Sequence, residues 1–175
     1  MKEDIFDIVD ENDKVISSAL RSEVHLRGFF HRASHVLIFS DESQDRKILL
    51  QKRSARKDLY PNLYTSSCSG HVDSGETYDI AVVREMFEET GLSVEISQLR
   101  YIGKLSPSVE TGNEFTSVYE FICSENSPSV VRPEEVASLD WVKESDFRKM
   151  IDSSPELFTP SFLKVYNFYL SRTQK

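Results

Sequence analysis

The sequence predicts an α/β sandwich, and three observations carry that expectation. Strand-like segments lie on both sides of one central helical stretch, residues 77–90. A second helical stretch with an apolar stripe closes the chain near residues 160–170. No repeat or low-complexity segment interrupts this order, and the 175 residues suit one domain with a sizeable core. That domain spans 1–175, with residues 1–30 read as an N-terminal hairpin extension.

Composition narrows the function classes. The net charge of −8 argues against a nucleic-acid surface, which needs a basic stripe. The two cysteines, Cys68 and Cys123, have no metal-type spacing and point to a reducing, cytoplasmic setting. No apolar run approaches ~18 residues and the first ten residues are acidic, so neither a membrane span nor a signal peptide is expected.

In chain order, IFDIV and KVISS read as a hairpin turning at Glu11-Asn12-Asp13. Residues 18–25 suit a short helix, and Ser34 to Phe39 and Lys47 to Lys52 suit strands joined by the polar DESQDR. The run KRSARK, residues 52–57, is the dense basic cluster. Lys52, Arg53 and Lys57 are therefore candidates to meet a diphosphate, set against the plainer reading of a solvated loop. Tyr60 and Tyr64 could stack on a ring or simply pack beside Pro61. Strands are expected at 94–102 and 115–123, separated by the loop LSPSVETGNE, and Trp141 marks a last strand with its ring in the core. A helix begins near Glu144 with Ser145 as its expected cap. The last helix buries Phe162, Val165, Tyr166 and Tyr169.

Residues 70–92, GHVDSGETYDIAVVREMFEETGL, carry the chemistry. Ile80, Val83 and Phe87 predict the apolar face of the central helix, and Gly91 its stop. Glu85, Glu88 and Glu89 stack three carboxylates within side-chain reach, a mutual repulsion that a hard divalent cation with oxygen ligands would relieve. Arg84, four residues before Glu88, can hold a carboxylate in place. Gly70 and Gly75 bracket a loop whose backbone can approach a ligand closely.

The spacing from Gly70 through Glu76, Arg84, Glu85, Glu88 and Glu89 to Gly91 and Leu92 is a complete match to the Nudix box. The resemblance covers roughly residues 31–172 and implies a Nudix-type α/β/α sandwich with a mixed central sheet. It further implies that the Gly70 carbonyl, Glu85, Glu88 and Glu89 bind Mg²⁺, with Mn²⁺ as a substitute. Glu76 would support the helix or the chemistry, and Glu114 would add a metal-binding or basic carboxylate from outside the box.

The segments HRASHVLIF, LLQKRS and DLYPNLYTSS also resemble the Nudix subgroup related to type I isopentenyl diphosphate isomerase. His31, His71 and Glu114 fall where that subgroup has metal-site residues, while His25 misses its counterpart by one. Two departures weigh against isomerisation. Ser69 stands where the isomerase needs cysteine, with Cys68 one residue early, and Glu156 stands where it needs tryptophan.

The expected function is a metal-dependent pyrophosphohydrolase. Its small-molecule substrate would be a nucleoside diphosphate linked to another moiety, or a nucleoside di- or triphosphate. The alternatives are an isopentenyl diphosphate isomerase and a nucleotide-sensing module that does not cleave. Pro107 resembles a mark of ADP-ribose hydrolases, and the hairpin edge suggests a homodimer.

Overall fold

The computed structural model describes residues 3–41 and 46–174, so most of the DESQDR connection lies outside the described residues. Strands β1 (Ile5–Val9) and β2 (Val15–Leu20) form an antiparallel hairpin, followed by helix α1 (Arg21–Arg27). The helix thus starts later than residue 18, because Ser18 is still paired to Asp7 in the hairpin.

The central sheet contains β3 (His31–Ser40), β4 (Lys47–Arg53), β5 (Tyr64–Thr65) and β6 (Cys68–His71). It is completed by β7 (Arg100–Leu105), β8 (Glu114–Cys123) and β9 (Val136–Lys143). The sheet is mixed, as expected. β3 and β8 run parallel from His31↔Glu114 to Ser40↔Cys123, and the other pairings are antiparallel. The expected strand at 94–102 begins only at Arg100, since Ile96–Gln98 is a short 3-10 turn.

Helices cover both faces. On one, α3 (Glu144–Ser153) and α4 (Pro160–Thr173) pack Phe147, Phe162, Val165, Tyr166 and Tyr169 onto Leu37, Phe39, Ile48 and Leu50. On the other, α2 (Tyr78–Thr90) packs Val82 and Met86 onto Val36, Ile38 and Leu49. Trp141 is only partly buried at the margin of this second cluster. α4 buries the four residues expected, and Thr159 caps it by accepting the Phe162 N–H. Ser145 does not cap α3; it lies inside the helix, whose cap position is Lys143.

The apolar face of α2 needs correction. Ile80 is 56% exposed and Phe87 54%, whereas Ala81, Val82, Met86, Glu89 and Thr90 are buried. At ~100° per residue, Val82, Met86, Glu85 and Glu89 share one side and Ile80 and Phe87 lie opposite. The carboxylates therefore flank the packed face rather than pointing away from it.

The hairpin docks on the same chain through Phe6, which is buried, and through the Ser74 N–H donating to the Ile5 carbonyl at 2.8 Å. Asp13, at its turn with φ 61°, accepts from Arg32 at 2.6 Å and from the Tyr78 hydroxyl at 3.0 Å, and pairs with Lys104.

Candidate active site

The end of β6 and the loop that follows it, the inner edge of α2, the start of β3 and the start of β8 enclose a cavity of about 760 Å³. Each box residue has a definable job in it. Gly70 is required by contact: a Cβ there would sit 2.1 Å from Glu85 Cδ and 2.2 Å from its Oε1. Thr77 caps α2 by accepting the Ile80 N–H, and Gly91 ends it in the left-handed region at φ 70°.

Arg84 gathers the carboxylates. Its Nε donates to Glu76 at 3.0 Å, its Nη2 to Glu76 at 2.9 Å and to the His71 carbonyl at 3.1 Å. Its Nη1 reaches Glu85 at 2.6 Å and Glu88 at 3.4 Å. Glu76 also accepts the Asp73 N–H at 3.1 Å, which ties the loop to the helix. Arg132, which the sequence did not single out, pairs with Glu88 at 3.0 Å. Glu89 is buried and accepts the Ser69 N–H at 2.9 Å.

Replacing Arg84 by Met leaves three carboxylates without their shared cation. The metal-free protein should lose about 3–5 kcal/mol in denaturant unfolding, with Mg²⁺ restoring part of the loss. A loss below about 1 kcal/mol would mean the network is not structural.

Burial pushes the Glu85 carboxyl up to about 8, reinforced by the charge on Glu89. Burial raises Glu89 as well. These two carboxylates resist ionisation in the protein alone, and a divalent cation would reverse that. The consequence is testable. A carboxyl with a raised folded pKa favours the fold while protonated, so its contribution is lost as pH rises toward about 8. His25 and His35, each lowered to about 4 first by burial, act oppositely and add stability as pH rises toward the ordinary histidine value of ~6.5. The Glu85 signature is therefore clean above that value. In EDTA the Tm should fall between pH 6.5 and 8, and excess Mg²⁺ should abolish the fall. A metal-free Tm that rises across that window would contradict the burial of an ionisable Glu85.

A second constellation adjoins the first. His25, His31 and His71 bring ring nitrogens within 4.8 Å of one another. Glu114 lies 3.0 Å from His71 Nε2 and 3.5 Å from His31 Nε2. Burial alone would raise the Glu114 carboxyl, but His31 and His71 more than offset it and hold it well below the usual range. His31 Nδ1 is satisfied by the Phe29 carbonyl at 2.9 Å, so its Nε2 faces the cluster. The Nε2 atoms of His25 and His31 are enclosed without a hydrogen-bond partner among the described residues, and Phe6 stacks over His71 at 4.5 Å. Unpartnered imidazole nitrogens beside a carboxylate fit a transition-metal ion. His25 belongs to this set although its sequence position is off by one. α1 ends two residues later, and its last turn swings the ring inward against His31 and His71.

The basic candidates separate. Arg53 and Lys57 line the cavity, Arg53 donating to the Leu59 carbonyl at 2.9 Å and Lys57 pairing with Glu135 at 2.9 Å. Arg21, Arg56 and Arg132 join them on the wall. Lys52 does not line it; its ammonium lies over the Tyr64 ring at 5.7 Å. Tyr64 packs against Phe158, while Tyr60 is exposed at the cavity rim. Cys68 is 1% exposed within the core beneath α2, and its neighbour Ser69 is the one that reaches the cavity. Burial pushes the Cys68 thiol well above its ordinary value.

Residues 29–162 match the NUDIX domain family. The chain belongs to the Nudix family. It is 34% identical over 155 residues to a prenyl-diphosphate phosphatase of Methanosarcina mazei, covering 87% of each chain. It is 30% identical to isopentenyl-diphosphate Delta-isomerase 2 of Photorhabdus laumondii, covering 94% of this chain and 92% of that one. Among solved structures it superposes on DR0079 from Deinococcus radiodurans with a TM-score of 0.71 and 31% identity, over 86% of this chain and 90% of that one. The mixed sheet between helices is thus a Nudix fold, and the resemblance to the isomerase-like Nudix hydrolases holds. The chain is a Nudix hydrolase. No helix among the described residues is long and apolar enough to cross a membrane.

Proposed function

We propose that this Nudix hydrolase cleaves a small organic diphosphate with Mg²⁺ held by Glu85, Glu88, Glu89 and the Gly70 carbonyl. The observation that carries the reading is the close approach of the Glu85 carboxylate to Gly70, which leaves no space for a side chain there. Bound metal supplies Lewis acidity at a phosphoryl oxygen and lowers the pKa of water. Glu89 is the favoured base for the attacking water's proton, because it lines the cavity beside the Gly70 strand end with its carboxylate oriented by the Ser69 N–H. Glu114 suits this role less, being held ionised by His31 and His71. Arg53, with Arg56 and Lys57 beside it, would offset charge on the leaving phosphate. Lys52, packed over Tyr64, would contribute no direct contact.

Two substrate classes follow from different observations. Tyr60, exposed at the rim, suits stacking on a nucleoside. Leu59 and Val109, also exposed at the rim, suit a short isoprenoid, as does the likeness to a prenyl-diphosphate phosphatase. The histidine–Glu114 cluster supports a second metal, as the isomerase resemblance implies. Isomerisation itself is disfavoured because the cavity wall carries Ser69 where a thiol is needed.

The test is a release screen with Mg²⁺ and with Mn²⁺ over nucleoside di- and triphosphates, nucleoside diphosphate sugars and isopentenyl and longer prenyl diphosphates. Phosphate or nucleoside monophosphate release names the class. Conversion of isopentenyl diphosphate to its allylic isomer without release would replace hydrolysis by isomerisation, and binding without turnover would leave a sensor.

The reducing, cytoplasmic setting fits the two free cysteines. A homodimer is also proposed, through the outer edge of β2, where Ile16 is 65% exposed and Val15 50%. Light scattering should give twice the chain mass for the wild type and a monomer for Ile16→Asp. A monomeric wild type would remove the proposal.

A further inference from the structure

His35 lies outside both constellations and outside the Nudix box. On β3, side chains at alternate positions face the same way, so His31, Ala33 and His35 share the cavity face. Ala33 and His35 both line the cavity. His35 is opposite Ser69 in the β3–β6 pairing, one residue from Gly70. Its electrostatic neighbours are Glu114, His71 and Arg53, so it stands between the histidine cluster and the basic wall.

Its two nitrogens are treated differently. Nδ1 is 2.7 Å from the Ser66 hydroxyl, which is fully buried. Nε2 has no protein hydrogen-bond partner among the described residues, and it is not one of the enclosed nitrogens without a partner. A purely structural histidine of this burial would have both nitrogens satisfied within the protein. Ser66 Oγ can donate its proton to Nδ1, the arrangement that satisfies the buried hydroxyl and places the imidazole proton on Nε2.

We propose that His35, in the Nε2–H tautomer set by Ser66, is a substrate-binding residue that donates a hydrogen bond to a phosphoryl oxygen of the bound diphosphate. The role rests on the diphosphate-hydrolase reading and deepens it. Burial holds the ring neutral through the physiological range, with a pKa near 4, so it adds a directed donor without another positive charge among Arg53, Arg56 and Lys57. Ser66 is a positioning residue that acts through the ring.

The probe is methylenediphosphonate with Mg²⁺, a diphosphate that cannot be hydrolysed. Nitrogen-15 histidine spectra of the wild-type chain should show His35 as the Nε2–H tautomer. Its Nε2 resonance should shift, and its proton gain protection from exchange, as the probe saturates. Ser66→Ala should mix the tautomers. With the substrate found by the release screen, His35→Leu should lower kcat/KM by about tenfold to a hundredfold, mostly through KM, since a donor to an anion is lost in ground and transition states alike. Probe binding seen by calorimetry with an unmoved His35 resonance, or an Nδ1–H tautomer in the wild type, would overturn the role of His35 and leave the hydrolase reading standing. No binding of the probe to the wild type would overturn both. The spectra need no variant, so they decide the matter even if His35→Leu does not fold.

Discussion

Glu89→Gln should lower kcat by about 10³-fold, within the range of about 10²–10⁴ expected for removing a general base, and the protein should stay folded. The direction follows from the burial of Glu89. Its carboxylate is held by the Ser69 N–H at 2.9 Å, and an amide oxygen can accept the same bond. The metal-free variant should therefore be as stable as the wild type or more so, because a buried ionisable group has become neutral. Mg²⁺ should stabilise the variant less than the wild type, since one anionic ligand is gone. Steady-state kinetics with the substrate found by the screen, together with Tm values with and without Mg²⁺, check both halves. Near-full activity in Glu89→Gln, and likewise in Glu88→Gln, would remove the catalytic assignment. Loss of activity through unfolding in EDTA would instead make Glu89 structural.

Gly70→Ala should be nearly as damaging to activity, by a different route. The added Cβ meets the Glu85 side chain at Cδ, Oε1 and also Cγ, and no backbone atom is among the three nearest. Glu85 can swing away, so the fold should tolerate the change with a Tm within a few degrees. The displaced carboxylate should cost about 10²-fold or more in kcat/KM, the order expected when a catalytic group is misplaced by about 1 Å. Mg²⁺ affinity should fall in parallel. Ala at position 70 with wild-type activity would show that Glu85 does not work from the position next to the loop. Loss of the fold would show that the loop cannot yield.

Most of this site could be read before any coordinates, for a physical reason. The box is local: Gly70 through Gly91 run from the end of β6 through one loop into α2, so the separation of Arg84 from Glu85 and Glu88 already determines which side chains can meet. α4 was legible for the same reason, its stripe of Phe162, Val165, Tyr166 and Tyr169 being the buried one. The face of α2 was misread because it carries two kinds of buried residue. Ile80 and Phe87 looked like the core stripe, yet the side that packs combines Val82 and Met86 with the carboxylates. A pattern of apolar residues cannot reveal a face that a carboxylate cluster shares with the core.

Sequence alone, then, determined the box, its carboxylate set, the α/β class and the order of the longer strands and helices, because each depends on neighbours a few residues apart, whereas the short strands β5 and β6 had no such signal. Tertiary structure decided what depends on distant segments. It brought His25, from a helix after the hairpin, against His31 and His71. It placed Phe6 over them, set Arg132 on Glu88, turned Lys52 away onto Tyr64, and buried Cys68 while leaving Ser69 on the cavity wall. For Lys52, Cys68 and Ser69 the placement follows from which way the strand's pleat turns at that residue, and a one-residue change of register reverses the answer.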